Sequence, residues 1–126
     1  MVTPGRIRRL APALQVYAVL GPPLAWAAQL VTGYGLTEAA CGPAGKAWGI
    51  AVHAWEGAIL AAALVAAAAG WASALALHRA AGRGELDDPN GRLKFVTTIG
   101  LAVGVIFLAL ILYTGTGVLT LEECRR

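Results

Sequence analysis

The stretch Ala58-Ile59-Leu60-Ala61-Ala62-Ala63-Leu64-Val65-Ala66-Ala67-Ala68-Ala69 decides the fold, because it is apolar throughout and rich in alanine, the strongest helix former. It lies inside a longer run, from about Trp48 to Leu77, whose only charged residue is Glu56. A helix needs roughly 20 predominantly apolar residues to cross about 30 Å of hydrocarbon. The run therefore predicts a membrane-spanning helix.

Two further apolar runs flank this one, between Arg9 and Glu38 and between Lys94 and Glu122. Backbone groups cannot stay unpaired in lipid, so runs of this length must be helical, and the short alternating segments of a membrane barrel are missing. We therefore predict an all-α integral membrane protein with three transmembrane helices, over about residues 11–36, 48–77 and 95–119. Residues 1–126 would form a single three-helix domain.

The composition supports a membrane protein over several soluble classes. Of the 126 residues, 58% are hydrophobic and 13% are charged, whereas a soluble domain is usually about a quarter charged. The mean hydropathy is +0.66. The net charge of +3 does not indicate a nucleic-acid partner, because the basic residues flank the apolar runs instead of gathering on a soluble face.

The first run contains Pro22-Pro23, which removes two backbone donors. A helix that ended there would leave too few residues to span the membrane, so we favour one kinked helix over a re-entrant or interfacial start. The basic residues before the run, with Ala25-Trp26-Ala27 inside it, also allow a secretory signal as a lesser alternative.

The flanking basic residues predict the orientation of the chain. With three spans, the N-terminal segment and the second connection share one side of the membrane. That side holds Arg6, Arg8, Arg9, Arg79, Arg83, Arg92 and Lys94, against Lys46, Arg125 and Arg126 on the other. The positive-inside rule therefore places the N-terminus in the cytoplasm and the C-terminus outside it.

The two cysteines follow the first and third runs, so this topology places Cys41 and Cys124 on the same non-cytoplasmic side. Disulfides persist in an oxidising compartment of that kind. We predict a structural disulfide between them, with two free thiols as the alternative. A redox-active pair is disfavoured, because the chain has no Cys-x-x-Cys.

Four polar residues are candidates for an intramembrane site. Glu56 lies inside the second run, and His53, three positions earlier, shares its helix face. The pair could relay a proton, hold a polar lipid or quinone head, or contact a neighbouring subunit. The alternative is that both lie near the outer interface with Trp48 and Trp55. Gln29 and Tyr34 could bond a partner backbone or a lipid head, or bond within the bundle.

No catalytic or metal site is predicted. His53 and His78 lie about 25 residues apart, roughly 40 Å along a helix, so they cannot ligate one haem together. His78, beside Arg79, is interpreted as an ordinary cap at the cytoplasmic end. No cluster of ligands and no serine with a base has a usable spacing. We expect a chain that is not an enzyme and binds no cofactor alone.

Small residues mark the faces on which helices pack, since lipid gives them no hydrophobic reason to associate. Gly100 and Gly104 form a Gly-x-x-x-Gly pair in the third run, and Gly57 and Ala61 provide a small surface on the second. These faces could serve contacts within the bundle or contacts with a larger partner.

The stretch Gly21-Pro22-Pro23-Leu24-Ala25-Trp26-Ala27-Ala28-Gln29-Leu30-Val31-Thr32-Gly33-Tyr34, followed by Cys41, resembles small uncharacterised membrane proteins associated with bacterial haem-copper (cytochrome c) oxidases. The resemblance covers mainly the first helix. It implies a non-catalytic accessory subunit of a respiratory complex in the bacterial inner membrane, beside larger hydrophobic subunits.

Two other functions compete with this one. A small quinone- or proton-handling redox protein would use His53 and Glu56. As an accessory subunit, in contrast, the chain could line a lipid or quinone pocket at a subunit interface. A homo-oligomeric transporter has less support, because no run carries a polar stripe suited to a wet pathway.

Overall fold

The computed structural model describes residues 4–41, 52–86 and 91–120, and it contains three helices: α1 (Pro4–Cys41), α2 (Val52–Gly82) and α3 (Arg92–Thr120). Each is long and apolar enough to cross a membrane. The predicted all-α class with three spans is therefore confirmed. Each helix packs against both of the others.

The helices extend beyond the predicted spans of 11–36 and 95–119 at both ends, and α2 continues past residue 77 to Gly82. The predicted start of the second span, at Trp48, lies outside the described residues. The extensions contain charged residues such as Arg8, Arg79 and Arg92. Backbone hydrogen bonding continues through these turns, so the apolar window gives a minimum length for each helix.

The helix α1 runs through Pro12, Pro22 and Pro23 without interruption. This favours one continuous helix over an interrupted entry into the membrane. Pro22 is buried, and its ring packs against α2 at Gly70, where a built Cβ would lie 2.9 Å from Pro22 Cδ. At Pro22, which has no backbone N–H to donate, α1 is therefore covered by α2.

Small side chains form the centre of the bundle. The fully buried core residues include Ala67, Ala74 and Ala80, and the large ones among them are Leu77 and Ile111. At Gly100 of α3, a built Cβ would lie 3.2 Å from the Ala74 Cβ of α2 and 3.4 Å from the Ala18 backbone oxygen of α1. The three backbones approach closely there, as small residues permit in membrane helices.

The C-terminal end of α2, where the connection to α3 begins, is capped by backbone hydrogen bonds. The amide of Gly84 donates to Ala81 O and the amide of Glu85 donates to Ala80 O, with Gly84 at a φ of 75°. A second left-handed glycine, Gly91 at a φ of 68°, precedes α3. These backbone angles favour glycine because L side chains rarely adopt them. The connection is shorter than predicted, since both helices extend into it.

Candidate functional site

Glu56 of α2 is buried, and its partner is a threonine of α1. Its side chain is 6% exposed, and Thr37 Oγ1 lies 2.7 Å from Glu56 Oε1. The sequence identified Glu56, but it did not identify Thr37, because the rotation of α1 against α2 cannot be inferred from either helix alone. A carboxyl group buried in a membrane helix is costly unless it is hydrogen-bonded. The contact with Thr37 meets that requirement.

The hydroxyl of Thr37 has one hydrogen and two acceptors within reach. The second acceptor is the backbone oxygen of Gly33, at 2.9 Å from Thr37 Oγ1. An ionised Glu56 accepts the hydrogen of Thr37. A protonated Glu56 can instead donate its own hydrogen to Thr37 Oγ1, which leaves the Thr37 hydrogen for Gly33 O. The arrangement therefore accommodates the carboxyl group with or without its proton.

The other predicted polar residues differ from Glu56 in exposure or in position along the helices. His53 is exposed on the first turn of α2, although it lies one turn before Glu56. Tyr34 points outward from α1, with 71% of its surface exposed. Gln29 lies two turns before Thr37, roughly 12 Å along α1. Gln29 and Tyr34 are thus placed apart from Glu56, whereas His53 lies one turn from it on the same helix.

Gln29 lies between α1 and α3. It is 7% exposed, and its Nε2 donates weakly, at 3.4 Å, to the backbone oxygen of Ile111. Its Oε1 finds no hydrogen-bond partner among the described residues, and neither does Nε1 of Trp26, one turn away. The Trp26 ring meets the edge of Phe107, with ring centroids 5.6 Å apart. Gln29 therefore bonds within the bundle, which is one of the two roles considered for it.

A third polar contact joins α2 to α3 at the other end of the bundle. His78 Nδ1 lies 3.0 Å from Thr97 Oγ1, and Thr97 is fully buried. Thr97 Oγ1 also donates to the backbone oxygen of Lys94 at 3.1 Å. His78 therefore links two helices, whereas its position beside Arg79 predicted only a helix cap. The sequence holds no signal for this pair, because the residues lie on different helices.

The predicted packing residues divide into two groups. Gly100 and Gly104 lie inside the bundle, and a Cβ built on Gly104 would lie 2.7 Å from Trp71 Cδ1. The Gly-x-x-x-Gly pair is thus used within the chain. In contrast, Gly57 has nothing within 4 Å of a built Cβ and Ala61 is exposed. Gly70 and Gly115 are further close-approach positions, which no sequence pattern marked.

The predicted disulfide lies outside the described residues. The backbone of α1 ends at Cys41, whose side chain is not described, and Cys124 follows the last described residue. Within the described ranges 4–41, 52–86 and 91–120, no group of three or more His, Cys, Asp or Glu residues could hold a metal ion.

The fold and these polar contacts define a small all-α protein of the multi-pass membrane class, in which each of the three helices could span a membrane. Comparison with protein families, with curated proteins and with solved structures finds no match to this chain.

Proposed function

We propose that this protein is a non-catalytic accessory subunit of a larger membrane complex, and that α2 presents the face on which the larger subunits pack. The complex would be a respiratory assembly of the cytochrome c oxidase type in the bacterial inner membrane. The resemblance of Gly21–Tyr34 and Cys41 to proteins associated with haem-copper oxidases supports this choice of complex.

The observation that carries the proposal is the outer face of α2. Between Glu56 and Leu77, the exposed positions of this helix hold alanine, apart from Val65. The exposed alanines are Ala58, Ala61, Ala62, Ala68, Ala69, Ala72 and Ala76. We call these seven residues the alanine face. Gly57, with open space around it, adjoins this face.

The outer faces of the other two helices carry larger side chains. On α1, Leu24 and Val31 are exposed, and on α3 the exposed residues include Ile106, Leu112 and Tyr113. Lipid chains accommodate large apolar side chains as well as small ones, so small residues give no advantage against lipid. Small residues do give an advantage against another helix, because they let the two backbones approach and gain van der Waals contact. The alanine face therefore fits a partner helix better than it fits lipid.

A substitution on this face tests the proposal. We expect Ala61→Leu to reduce co-purification of partner subunits from membranes solubilised in mild detergent, because the larger side chain would hold a partner helix away. Ala109→Leu, on the outer face of α3, is the matched control and should leave co-purification unchanged. Native mass measurement of the purified material identifies the partners, and a visible spectrum detects their haem.

Isolation of the unaltered chain as a lone monomer under these conditions would contradict the proposal. Equal effects of the two substitutions would contradict the assignment of the alanine face, since both add the same atoms to exposed alanines. Partner subunits without haem would exclude an oxidase as the complex.

A second candidate function is the handling of protons or quinone by Glu56 with His53. The observation in its favour is the burial of Glu56 against Thr37. Glu56→Gln keeps the shape of the side chain but cannot release a proton, so it should lower proton-coupled turnover of the complex without disturbing assembly. Glu38→Gln, an exposed carboxylate beside Thr37, is the control. Unchanged turnover in Glu56→Gln would dispose of this function.

A further inference from the structure

The three helices bring basic residues together at one end of the bundle, where α1 begins, α2 ends and α3 begins. The basic residues of these segments are all exposed: Arg6, Arg8, Arg9, Arg79, Arg83, Arg92 and Lys94. We call this set the basic end. The acidic residues of the same region are fewer, namely Glu85 and the sequence neighbours Asp87 and Asp88. The basic end therefore carries an excess of positive charge.

Two arginines, one from α1 and one that follows α2, converge on one acidic residue. Arg8 of α1 donates through Nη2 to the backbone oxygen of Glu85 at 3.4 Å. Arg83, the residue after α2, pairs with the Glu85 carboxylate, with Nε 3.2 Å from Oε1. Glu85 thus contacts two guanidinium groups, Arg8 through its backbone oxygen and Arg83 through its carboxylate. Guanidinium groups bind phosphate as readily as carboxylate.

The chain segments that carry these arginines pack against one another through a buried cluster. A buried cluster joins the start of α1 to the end of α2, the connection and the start of α3. Its members are Ala11, Leu77, Ala80, Ala81, Leu86 and Leu93. Arg8 and Arg83 both contact Glu85, which precedes Leu86 of this cluster, and both arginines are exposed.

Large apolar side chains lie directly beside the charges. Leu10 follows Arg9 and is 43% exposed, and Phe95 follows Lys94 and is 67% exposed. A ligand that met both kinds of surface would need an anionic head and an apolar tail. A free phosphate or a nucleic acid would use the charges but leave the exposed Leu10 and Phe95 without a role.

We propose that the basic end binds the headgroup of an anionic phospholipid, with the lipid phosphate between Arg8 and Arg83 and the acyl chains along Leu10 or Phe95. Basic residues at the membrane surface attract anionic lipids in this way. The carboxylate of Glu85 is an internal anion that competes with the lipid phosphate for Arg83. This lipid site is separate from the alanine face, so either proposal can fail without the other.

The experiment compares lipid binding by the purified full chain in neutral detergent. Native mass measurement would count bound phosphatidylglycerol and phosphatidylcholine at equal concentration. We expect a preference for phosphatidylglycerol. Arg8→Gln should weaken its binding about fivefold, because one cation near an anionic lipid contributes about 1 kcal/mol. Glu85→Gln should strengthen binding by a similar factor, because it removes the competing anion.

Two variants at sequence positions outside the basic end control for net charge. Lys46→Gln changes the charge as Arg8→Gln does, and Glu38→Gln changes it as Glu85→Gln does; neither should alter lipid binding. Equal binding of the two lipids, or equal effects of Glu38→Gln and Glu85→Gln, would overturn the proposal. Complete displacement by inorganic phosphate would also overturn it, since the ligand would then be free phosphate.

Discussion

At the scale of single residues, the glycines of the helices differ in what a methyl group would meet. A Cβ on Gly104 would lie 2.7 Å from Trp71 Cδ1 and 3.0 Å from Trp71 Cβ. The Trp71 Cβ is bonded to its own backbone, so relief requires a helix to move. We expect Gly104→Ala to lower the free energy of unfolding by about 1–3 kcal/mol, the usual cost of overpacking.

The matched control is Gly57→Ala, because a Cβ there has nothing within 4 Å. We expect it to be neutral, or to stabilise by up to about 1 kcal/mol through helix propensity. Denaturant unfolding of the two variants in the same detergent measures both values. Equal destabilisation would show that α2 and α3 do not cross at Gly104 as described.

The link between His78 and Thr97 gives a second prediction at this scale. Thr97→Val removes the hydroxyl that lies 3.0 Å from His78 Nδ1, in a fully buried position. We expect a loss of about 1 kcal/mol of unfolding free energy, as for other hydrogen bonds between membrane helices.

Thr98→Val is the control for this substitution. Thr98 is exposed, and its hydroxyl donates to the backbone oxygen of Lys94 in the same helix, at 2.7 Å. It should change stability little, because no second helix is involved. If both valine variants behave alike in thermal unfolding, the His78 contact does not contribute to the bundle.

At the scale of elements, the contact of α1 with α2 depends on Pro22 and Gly70 together. A Cβ on Gly70 would lie 2.9 Å from Pro22 Cδ and 3.2 Å from Pro22 Cγ. We expect Gly70→Ala alone to destabilise the bundle by about 1–3 kcal/mol. In a Pro22→Ala background the ring is gone, so the same substitution should cost clearly less.

A double-mutant cycle on these two positions measures their coupling directly. Two residues in contact should show an interaction energy of at least about 0.5 kcal/mol. Additive effects within error would mean that the proline ring does not lie against Gly70. The cycle also separates packing from the helix distortion caused by proline, since the distortion is present in both proline-containing members.

At the scale of the whole molecule, three spans require the two termini to lie on opposite sides of the membrane. The basic end predicts the orientation of the chain in the membrane, with the N-terminus in the cytoplasm. A reporter enzyme that is active only outside the cytoplasm should therefore work when fused after Arg126 and fail when fused before Met1. Activity of both fusions would contradict a three-span topology.

The same topology predicts an oxidised pair of Cys41 and Cys124. Alkylation without reduction, followed by mass measurement, should then find no reactive thiol in protein from the native membrane. Reduction should lower the unfolding free energy by a few kcal/mol, as expected for a bond that closes a long loop. Two alkylated cysteines before reduction would show that Cys41 and Cys124 do not form a disulfide.

The sequence by itself determined that the chain forms three helices long enough to cross a membrane. Charge-free runs near the length of the hydrocarbon core have no other way to satisfy their backbone groups. It also identified Glu56 as a candidate for an intramembrane polar site, because acidic residues are rare in such runs. These conclusions need only the length and composition of each run.

The tertiary structure alone decided which face of each helix points inward. It placed Gly100 and Gly104 inside the bundle and Ala61 outside, and it paired Glu56 with Thr37. The physical reason is that these helices are apolar around most of their circumference, so the hydrophobic pattern of a soluble helix does not mark an inner face. Rotation and relative height are then set by how small residues and rings fit together across helices.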